Sequence, residues 1–517
     1  MSLVRLLDAV AVLCGLAVLS TLVYWWWRPE EVFLVLLGVL AIRLVVAPLP
    51  VLRVRPRRAV AVGVTLYAVY FSAATLSRHW TFRTHALDLG YYVQLTWNLA
   101  RGAGPYVSLP EMHAWGDHFS PIMYLFVPAF WLAPGPGVLL VAQSIALALG
   151  GLAVFALATQ RLGDERPAAV FCVLYLINPS LHGINVRDFH SAALVIPLVL
   201  AAIYFAETNR PWLYAVAVLL TLATREDAAI AVVGLGLWLA LTKCRWMWGG
   251  VTAGGAFALL LVDTRWLIPY FRGAPYPHLG RYSHLGRSVP EILETLVLHP
   301  WHVLPTVFTA KRLVYLGALL APLAFLPLLA PATLIGLAPA LAENLLGQDP
   351  ILFDHRTQYQ SFVLPFLFAA AIVGYDHLAR RRPGPWPKGV LVVALMASMV
   401  LSASDVNSLA LARAWPRLEH RQAHAVLSQV PADAVVSAQD PYVPHLSLRP
   451  LVFVFPVGIE KADHLVLNTA SYPWRKNREV TMQREGDTVT ITDGAGGPTY
   501  RYLVVAERGP NLLLRRR

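Results

Sequence analysis

The sequence predicts a mainly α-helical, polytopic transmembrane bundle that ends in a small α/β domain. Three observations predict it. Of 517 residues, 57% are hydrophobic and 14% charged, with a mean hydropathy of +0.55. That is too little charge to cover a soluble protein of this length. Apolar runs recur along residues 1–404, many near the ~20 residues that cross a bilayer. Beyond residue 404 the pattern changes to short alternating runs between turn residues.

About thirteen spans are expected on the length criterion. They lie near 9–27, 32–50, 59–77, 137–159, 168–178, 192–206, 212–223, 228–241, 247–261, 313–329, 333–345, 362–377 and 389–402. The stretch 119–132 is apolar but short, bounded by His118 and Ala133-Pro134-Gly135-Pro136, and reads as a juxtamembrane or re-entrant segment. Tyr24-Trp25-Trp26-Trp27 reads as an interfacial anchor after a retained first helix, not a cleaved signal.

Basic loops set the orientation. Arg53-Val54-Arg55-Pro56-Arg57-Arg58, the loop of Arg161 and Arg166, Lys243-Cys244-Arg245, and Arg380-Arg381-Arg382 with Lys388 share one side when crossings alternate. This places the N-terminus in the cytoplasm and the C-terminal domain outside a plasma membrane. Lys311-Arg312 is the exception. The net charge of +12 therefore reports topology. No basic block accompanies stacking aromatics on a soluble face, so nucleic acid is not a partner. The three cysteines, Cys14, Cys172 and Cys244, show neither metal spacing nor a disulfide framework.

The expected domains are a transmembrane unit, 1–404, with a first outer loop at 78–118, and an extracytoplasmic α/β unit, 405–517. In the second, a helix is expected at 412–429 and strands at 435–437, 451–455, 464–468, 480–492 and 500–516, with turns at Asp493-Gly494 and Arg508-Gly509-Pro510.

The charged clusters fall on the outer side. They are Asp88, Asp117-His118, Arg187-Asp188-Phe189-His190, Arg225-Glu226-Asp227, Glu343-Asn344 and Asp354-His355-Arg356. Charge near hydrocarbon is costly and pairs or lines a cavity, so one polar cavity under the outer surface is expected. Each cluster also has a plainer reading. Asp88 would N-cap a helix over 89–100. That helix would set Asp88, Tyr91, Gln94, Asn98 and Arg101 on one side, with Leu89, Tyr92, Val93 and Leu99 on the membrane. Arg225-Glu226-Asp227 would be an internal ion pair closing a hairpin. Asp117, His118, Asp188 and His190 are of metal-ligating types, but they equally form carboxylate–histidine hydrogen bonds. No cofactor is required, and a divalent metal stays an open alternative. Tyr91, Trp97 and Trp115 are belt residues or a platform for a sugar.

A membrane cavity with carboxylates, histidines and arginines suits a lipid-phosphate-linked sugar. Arginines would hold the phosphate and a carboxylate would take the proton of an acceptor hydroxyl. The same residue types suit a proton-coupled transporter.

The stretch 86–94, with Trp97-Asn98, Arg101-Gly102 and Asp117-His118-Phe119-Ser120-Pro121, resembles the first outer loop of the C-type (GT-C) membrane glycosyltransferases. The chain from 65 to 468 resembles the bacterial and archaeal membrane family called domain of unknown function 2079. The residues that carry the likeness are Arg187-Asp188-Phe189-His190, Thr224-Arg225-Glu226-Asp227, Glu343-Asn344-Leu345-Leu346, Pro444-His445-Leu446-Ser447, Arg449-Pro450 and Phe455-Pro456. The resemblance implies a GT-C-like bundle with juxtamembrane helices and a polyprenyl-phosphate sugar donor. It also implies Asp88 as catalytic base and inversion at the sugar. Many GT-C enzymes carry two adjacent acidic residues in this loop. Here Leu89 follows Asp88, so either Asp117 supplies the second carboxylate or the chemistry differs.

The expected activity is therefore sugar transfer from a polyprenyl-phosphate donor, in membrane lipid, to a glycan, lipid or protein acceptor of the cell envelope. Asp88, Asp117 and His118 form the catalytic set. Arg187, Asp188, His190, Arg225, Glu226, Asp227, Tyr91 and Gln94 form the substrate-binding set. The alternatives are a transporter or lipid-head flippase, and a non-catalytic scaffold. Neither an internal repeat nor Gly/Pro-broken symmetric helices favour transport.

Overall fold

The computed structural model describes residues 3–24, 31–32, 35–36, 38–39, 55–409, 415–471, 480–494 and 496–517. The span expected at 32–50 and the Trp25–Trp27 anchor lie mostly or wholly outside them. Every other expected span coincides with helical structure. Among the described residues, three helices are long and apolar enough to cross a membrane: Pro56–Trp80, Pro136–Leu162 and Trp246–Arg272. Two bent pairs raise this to five, and six further apolar helices are shorter. Large apolar side chains such as Val62, Leu66, Val69, Leu219 and Val251 face outward, as a lipid-facing surface requires.

Two expected spans are not single helices. The segment at 168–178 continues as Pro179–Val186 after a 42° bend. Asn178 caps the second piece by accepting from the Ser180 and Leu181 amides, and Pro179 at its first turn fits a helix start. The segment at 313–329 holds a helix only to Leu320. Ala324 and Phe325 then take left-handed backbone conformations before a short 3-10 turn, so the chain bends back there.

Polar loops collect at the two ends of the bundle. At one end Arg57 pairs with Glu165, Arg161 with Asp376, and Lys243 with Glu207. These are the basic loops that the sequence places together. Helix Pro136–Leu162, with 27 residues, is about 40 Å long and separates this end from the acidic and histidine clusters. Arg312, the exception to the charge pattern, is buried. It donates to the Leu345 carbonyl at 2.7 Å and the Gly347 carbonyl at 2.5 Å, and lies over Phe353. It satisfies the carbonyls at a helix C-terminus rather than reporting a membrane side.

The tail holds helix Leu418–Leu427 and a seven-stranded sheet. Its strands are β3 (Val436–Ala438), β4 (Val452–Val454), β5 (His464–Asn468), β6 (Val480–Glu485), β7 (Thr488–Asp493), β8 (Thr499–Arg508) and β9 (Asn511–Arg516), numbered after the hairpin β1 (Tyr106–Ser108) and β2 (Glu111–His113) of the first outer loop. The order is β4-β3-β5-β9-β8-β7-β6. Pairings of β3 are parallel and the rest antiparallel. The run expected as one strand at 480–492 is a hairpin turning at Gly486, whose φ is +60°. The expected boundary at 404/405 falls inside helix Trp386–Leu409.

The tail and the first outer loop form one joint. The Ser108 hydroxyl donates to the Val452 carbonyl and accepts from the Val452 amide. The Gln94 amide donates to the carbonyls of Arg449 and Pro450. Lys461 pairs with Glu111.

Candidate functional site

Asp88 sits in a π-helical turn, Ala86–Gly90, that leads into helix Tyr91–Ala100. Such turns cluster at functional sites. Asp88 caps neither helix; its Oδ1 accepts from His190 Nε2 at 3.1 Å. The helix is buried on both sides. Leu89, Tyr92, Val93 and Leu99 pack against Met123, Phe130, Leu139, Leu140 and Phe189, not on lipid as expected, while Gln94 meets the tail.

The turn holding His190 is pinned by a buried glutamine. Gln143, on helix Pro136–Leu162, donates to the Asp188 carbonyl at 2.7 Å and accepts from the His190 amide at 2.9 Å. Asp188 lies in the left-handed region at φ +64°, where Asp is one of the few tolerated L residues. Its Oδ2 accepts from the His85 amide at 2.7 Å. Asp440 of the tail accepts from His85 Nδ1 at 2.7 Å and from the Ala86 amide at 3.0 Å. The chain just before Asp88 is thus held from below by Asp188 and from the tail by Asp440.

The electrostatics follow. Burial would raise the Asp88 carboxyl, but the hydrogen bond and charge of His190, with His85 and Arg187, outweigh it and hold it below its ordinary value. The Asp88 side chain is 45% exposed, that of His190 6%. Among the described residues, Asp88 Oδ2 has no bonded partner. Burial pushes Asp188 up to about 6, against the His85 amide. The bond to Asp440 raises His85.

A second carboxylate–histidine pair is buried. Glu226 accepts from His118 Nδ1 at 2.8 Å, the Tyr276 hydroxyl at 2.9 Å and the Phe119 amide at 3.2 Å. Burial disfavours the His118 cation, and Glu226 more than offsets that, so His118 rises. Burial would likewise raise Glu226, but His118 and Arg225 hold it well down. His278 stacks on His118 with centroids 4.5 Å apart, and its Nε2 lies 3.7 Å from Asp117 Oδ1. Gly116 precedes this pair because a Cβ there would meet the Arg272 backbone at 2.9 Å.

The other expected site residues divide. Arg187 is half-exposed, pairs with Asp354 at 3.0 Å and contributes to the field at Asp88. Arg225 is buried and forked onto Asp227, with Nε 2.6 Å from Oδ1 and Nη2 on Oδ2. The hairpin ion pair is therefore the observed arrangement, and Arg225 braces rather than reaching a ligand. Tyr91 donates to the Ala114 carbonyl and is buried, and Gln94 is spent on the joint. Neither is free to bind substrate as expected. Trp97 lies under Arg101 and Trp115 against Phe271, so neither is an open platform.

Four residues escaped the sequence reading. Gln143 had a signal, as a buried amide in an apolar span. Tyr276, His278 and Asp440 had none, since they sit in polar loops. Among the described residues, one group of three metal-ligating residue types lies close together: Asp117, His118 and His278, with donor atoms all within 4.8 Å of one another. Asp188 and His190 are not part of it.

A mainly apolar cavity of about 310 Å³ adjoins this group, lined by Phe257, Leu260, Ile292 and Leu296 and also by Asp227, Tyr276, His278, Arg281, Tyr282 and Glu343. A wider cleft of about 630 Å³ separates the Asp88 loop from the tail, between Leu87 and Asp440.

A helical membrane bundle with a polar site at one end and an attached sheet domain defines the class. Residues 78–492 match the predicted membrane protein family DUF2079, and the chain belongs to that family. Among solved structures it is similar to ArnT from Cupriavidus metallidurans in the apo state, at 13% identity over 88% of this chain and 97% of that one, with a TM-score of 0.51. It is also similar to the same protein bound to undecaprenyl phosphate, at 14% identity over 87% and 97%, TM-score 0.49. The apo oligosaccharyltransferase of Archaeoglobus fulgidus follows, at 13% over 79% and 69%, TM-score 0.44. The apo ArnT likeness is one of fold, and the fold is GT-C-like. No curated protein matches the sequence.

Proposed function

We propose that this membrane protein is a glycosyltransferase that moves a sugar from a polyprenyl-phosphate donor to an envelope glycan, lipid or protein at the outer face, with Asp88 as base. The Asp88–His190 pair carries the reading. The carboxylate is ionised at neutral pH, one oxygen is fixed by a buried imidazole, and the other is open. A general base needs that combination of charge, orientation and access.

In the proposed step Asp88 Oδ2 takes the proton of an acceptor hydroxyl. The hydroxyl oxygen bonds to the anomeric carbon as the carbon–oxygen bond to phosphate breaks, and the phosphate leaves with the electron pair. Attack opposite the leaving group inverts the sugar. Arg187 is the accessible cation beside Asp88 and would meet the phosphate. The apolar cavity with Arg281 in its lining suits a lipid tail with an anionic head. The loops bearing the site would face outward, with the N-terminus and the basic loops in the cytoplasm.

The test uses purified full-length protein in proteoliposomes with radiolabelled polyprenyl-phosphate sugars and an envelope acceptor extract. Transfer by the native protein, absent in Asp88→Asn, is the expected result. Absence of transfer from every donor, with no binding of donor by folded protein, would overturn it.

A further inference from the structure

We propose that Asp117, His118 and His278 bind a divalent transition cation of the zinc or cobalt type, with its open coordination positions toward the apolar cavity. Three observations converge. First, the three ligand atoms lie within 4.8 Å of one another, and tetrahedral ligation at zinc distances needs separations of about 3.4 Å. Closing by roughly 1.4 Å requires the His278 ring to turn out of its stack on His118, where the ring planes lie 8° apart, so that both in-plane lone pairs meet at the ion. Second, one donor is already oriented. Glu226 accepts the Nδ1 hydrogen of His118 at 2.8 Å, which directs Nε2 of that ring away from Glu226. A carboxylate behind a metal-bound histidine fixes the tautomer and raises its basicity. Glu226 is in turn held by Tyr276 and the Phe119 amide. Third, His278 Nε2 is buried without a hydrogen-bond partner, 3.7 Å from the Asp117 carboxylate. A buried, unpaired ring nitrogen facing a carboxylate is costly, and a shared cation removes that cost.

The donor set selects the metal. Two imidazoles and one carboxylate suit zinc or cobalt, whereas magnesium prefers an all-oxygen shell. Three protein ligands leave a fourth position for a water or a substrate oxygen, the pattern of a reactive rather than a structural zinc site. His278 also lines the cavity, together with Tyr276 and Arg281. The phosphate oxygen of a lipid-linked substrate is the ligand that geometry admits. This role for the cation rests on the transferase reading; the cation site itself does not.

The experiment titrates Co2+ into metal-stripped full-length protein in detergent, reads the visible absorption of the bound ion, and follows displacement by Zn2+. One equivalent of Co2+ in a low-symmetry nitrogen-containing site is expected, displaced by Zn2+ and not by Mg2+. His278→Ala and Asp117→Asn should each weaken Co2+ binding by at least ~100-fold, and Glu226→Gln by ~10–100-fold. His302→Ala, in the exposed loop beyond the cavity, should leave binding unchanged, and Asp117→Asn preserves size should His278→Ala misfold. Absence of stoichiometric Co2+ binding by folded native protein, or binding untouched by Asp117→Asn, would overturn the site. The assay contains no sugar donor, so its failure is distinct from failure of the transferase reading.

Discussion

Two carboxylate–histidine pairs stand at the first outer loop, and they differ in what surrounds them. Glu226 is fully buried and receives three donors, so both its oxygens are used. Asp88 receives one donor and its side chain is 45% exposed. The chemistry of the pairs is alike. Access separates them: the saturated carboxylate positions its neighbours, and the half-open one has a lone pair left for a proton.

The largest expected effect breaks the half-open pair. Asp88→Asn keeps the shape and removes the base, so transfer should fall by ~10³-fold or more, while thermal stability in detergent stays near native. Equal loss of activity and of folded protein would make Asp88 structural. Next, Glu226→Gln leaves His118 without its counter-charge in a buried site. A drop of about 3 kcal/mol in unfolding free energy is expected, visible as a lowered detergent Tm. A variant as stable as native would mean that the buried pair does not brace the loop.

A smaller change sharpens the contrast. His190→Asn retains a donor but loses the positive field at Asp88. Transfer should fall ~10-fold, and the acid limb of its pH profile should move upward toward the ordinary aspartate value, because that field depresses Asp88 in the native protein. An unmoved acid limb would separate His190 from the base. Asp188 gives a fourth check. Its folded carboxyl binds its proton more tightly than an unfolded one, so its stabilisation is full below the unfolded value near 4 and is lost as pH rises through about 6. Asp188→Asn should flatten the fall in stability across that window, measured by denaturation at several pH values. The smallest effect is expected at the joint. Gln94→Ala leaves the Ser108 amide and buried carbonyls of the tail without their partner, at a cost of about 1–2 kcal/mol; unchanged protease resistance of the tail would show the joint does not depend on it.

Much of this arrangement was legible in the sequence, because hydropathy and charge act along the chain. The gathering of the basic loops at one end of the bundle was found. The strand His464–Asn468 was placed to the residue. What stayed hidden depends on contacts across the chain. Nothing local shows that Asp440 reaches back 355 residues to His85, or that His278 stacks on His118. The helix at 91–100 carried an amphipathic pattern that fits lipid and fits protein equally; Phe130, Phe189 and helix Pro136–Leu162 cover its apolar side, and the tail takes Gln94. The tail also bonds to His85, Ala86 and Gln94, so deleting it would disturb the Asp88 loop and would not distinguish a scaffold from an enzyme. Arg312 looked like a topology signal because charge in sequence does not show which carbonyls it will meet.

The most direct measurement is the rate of sugar transfer in proteoliposomes across pH, for native protein, Asp88→Glu and Asp88→Asn. A base at Asp88 predicts a native acid limb below the ordinary aspartate value, a slower Asp88→Glu variant that keeps an acid limb, and a residual Asp88→Asn rate that lacks it. An Asp88→Asn protein that transfers sugar with the native rate and the native acid limb would contradict the account.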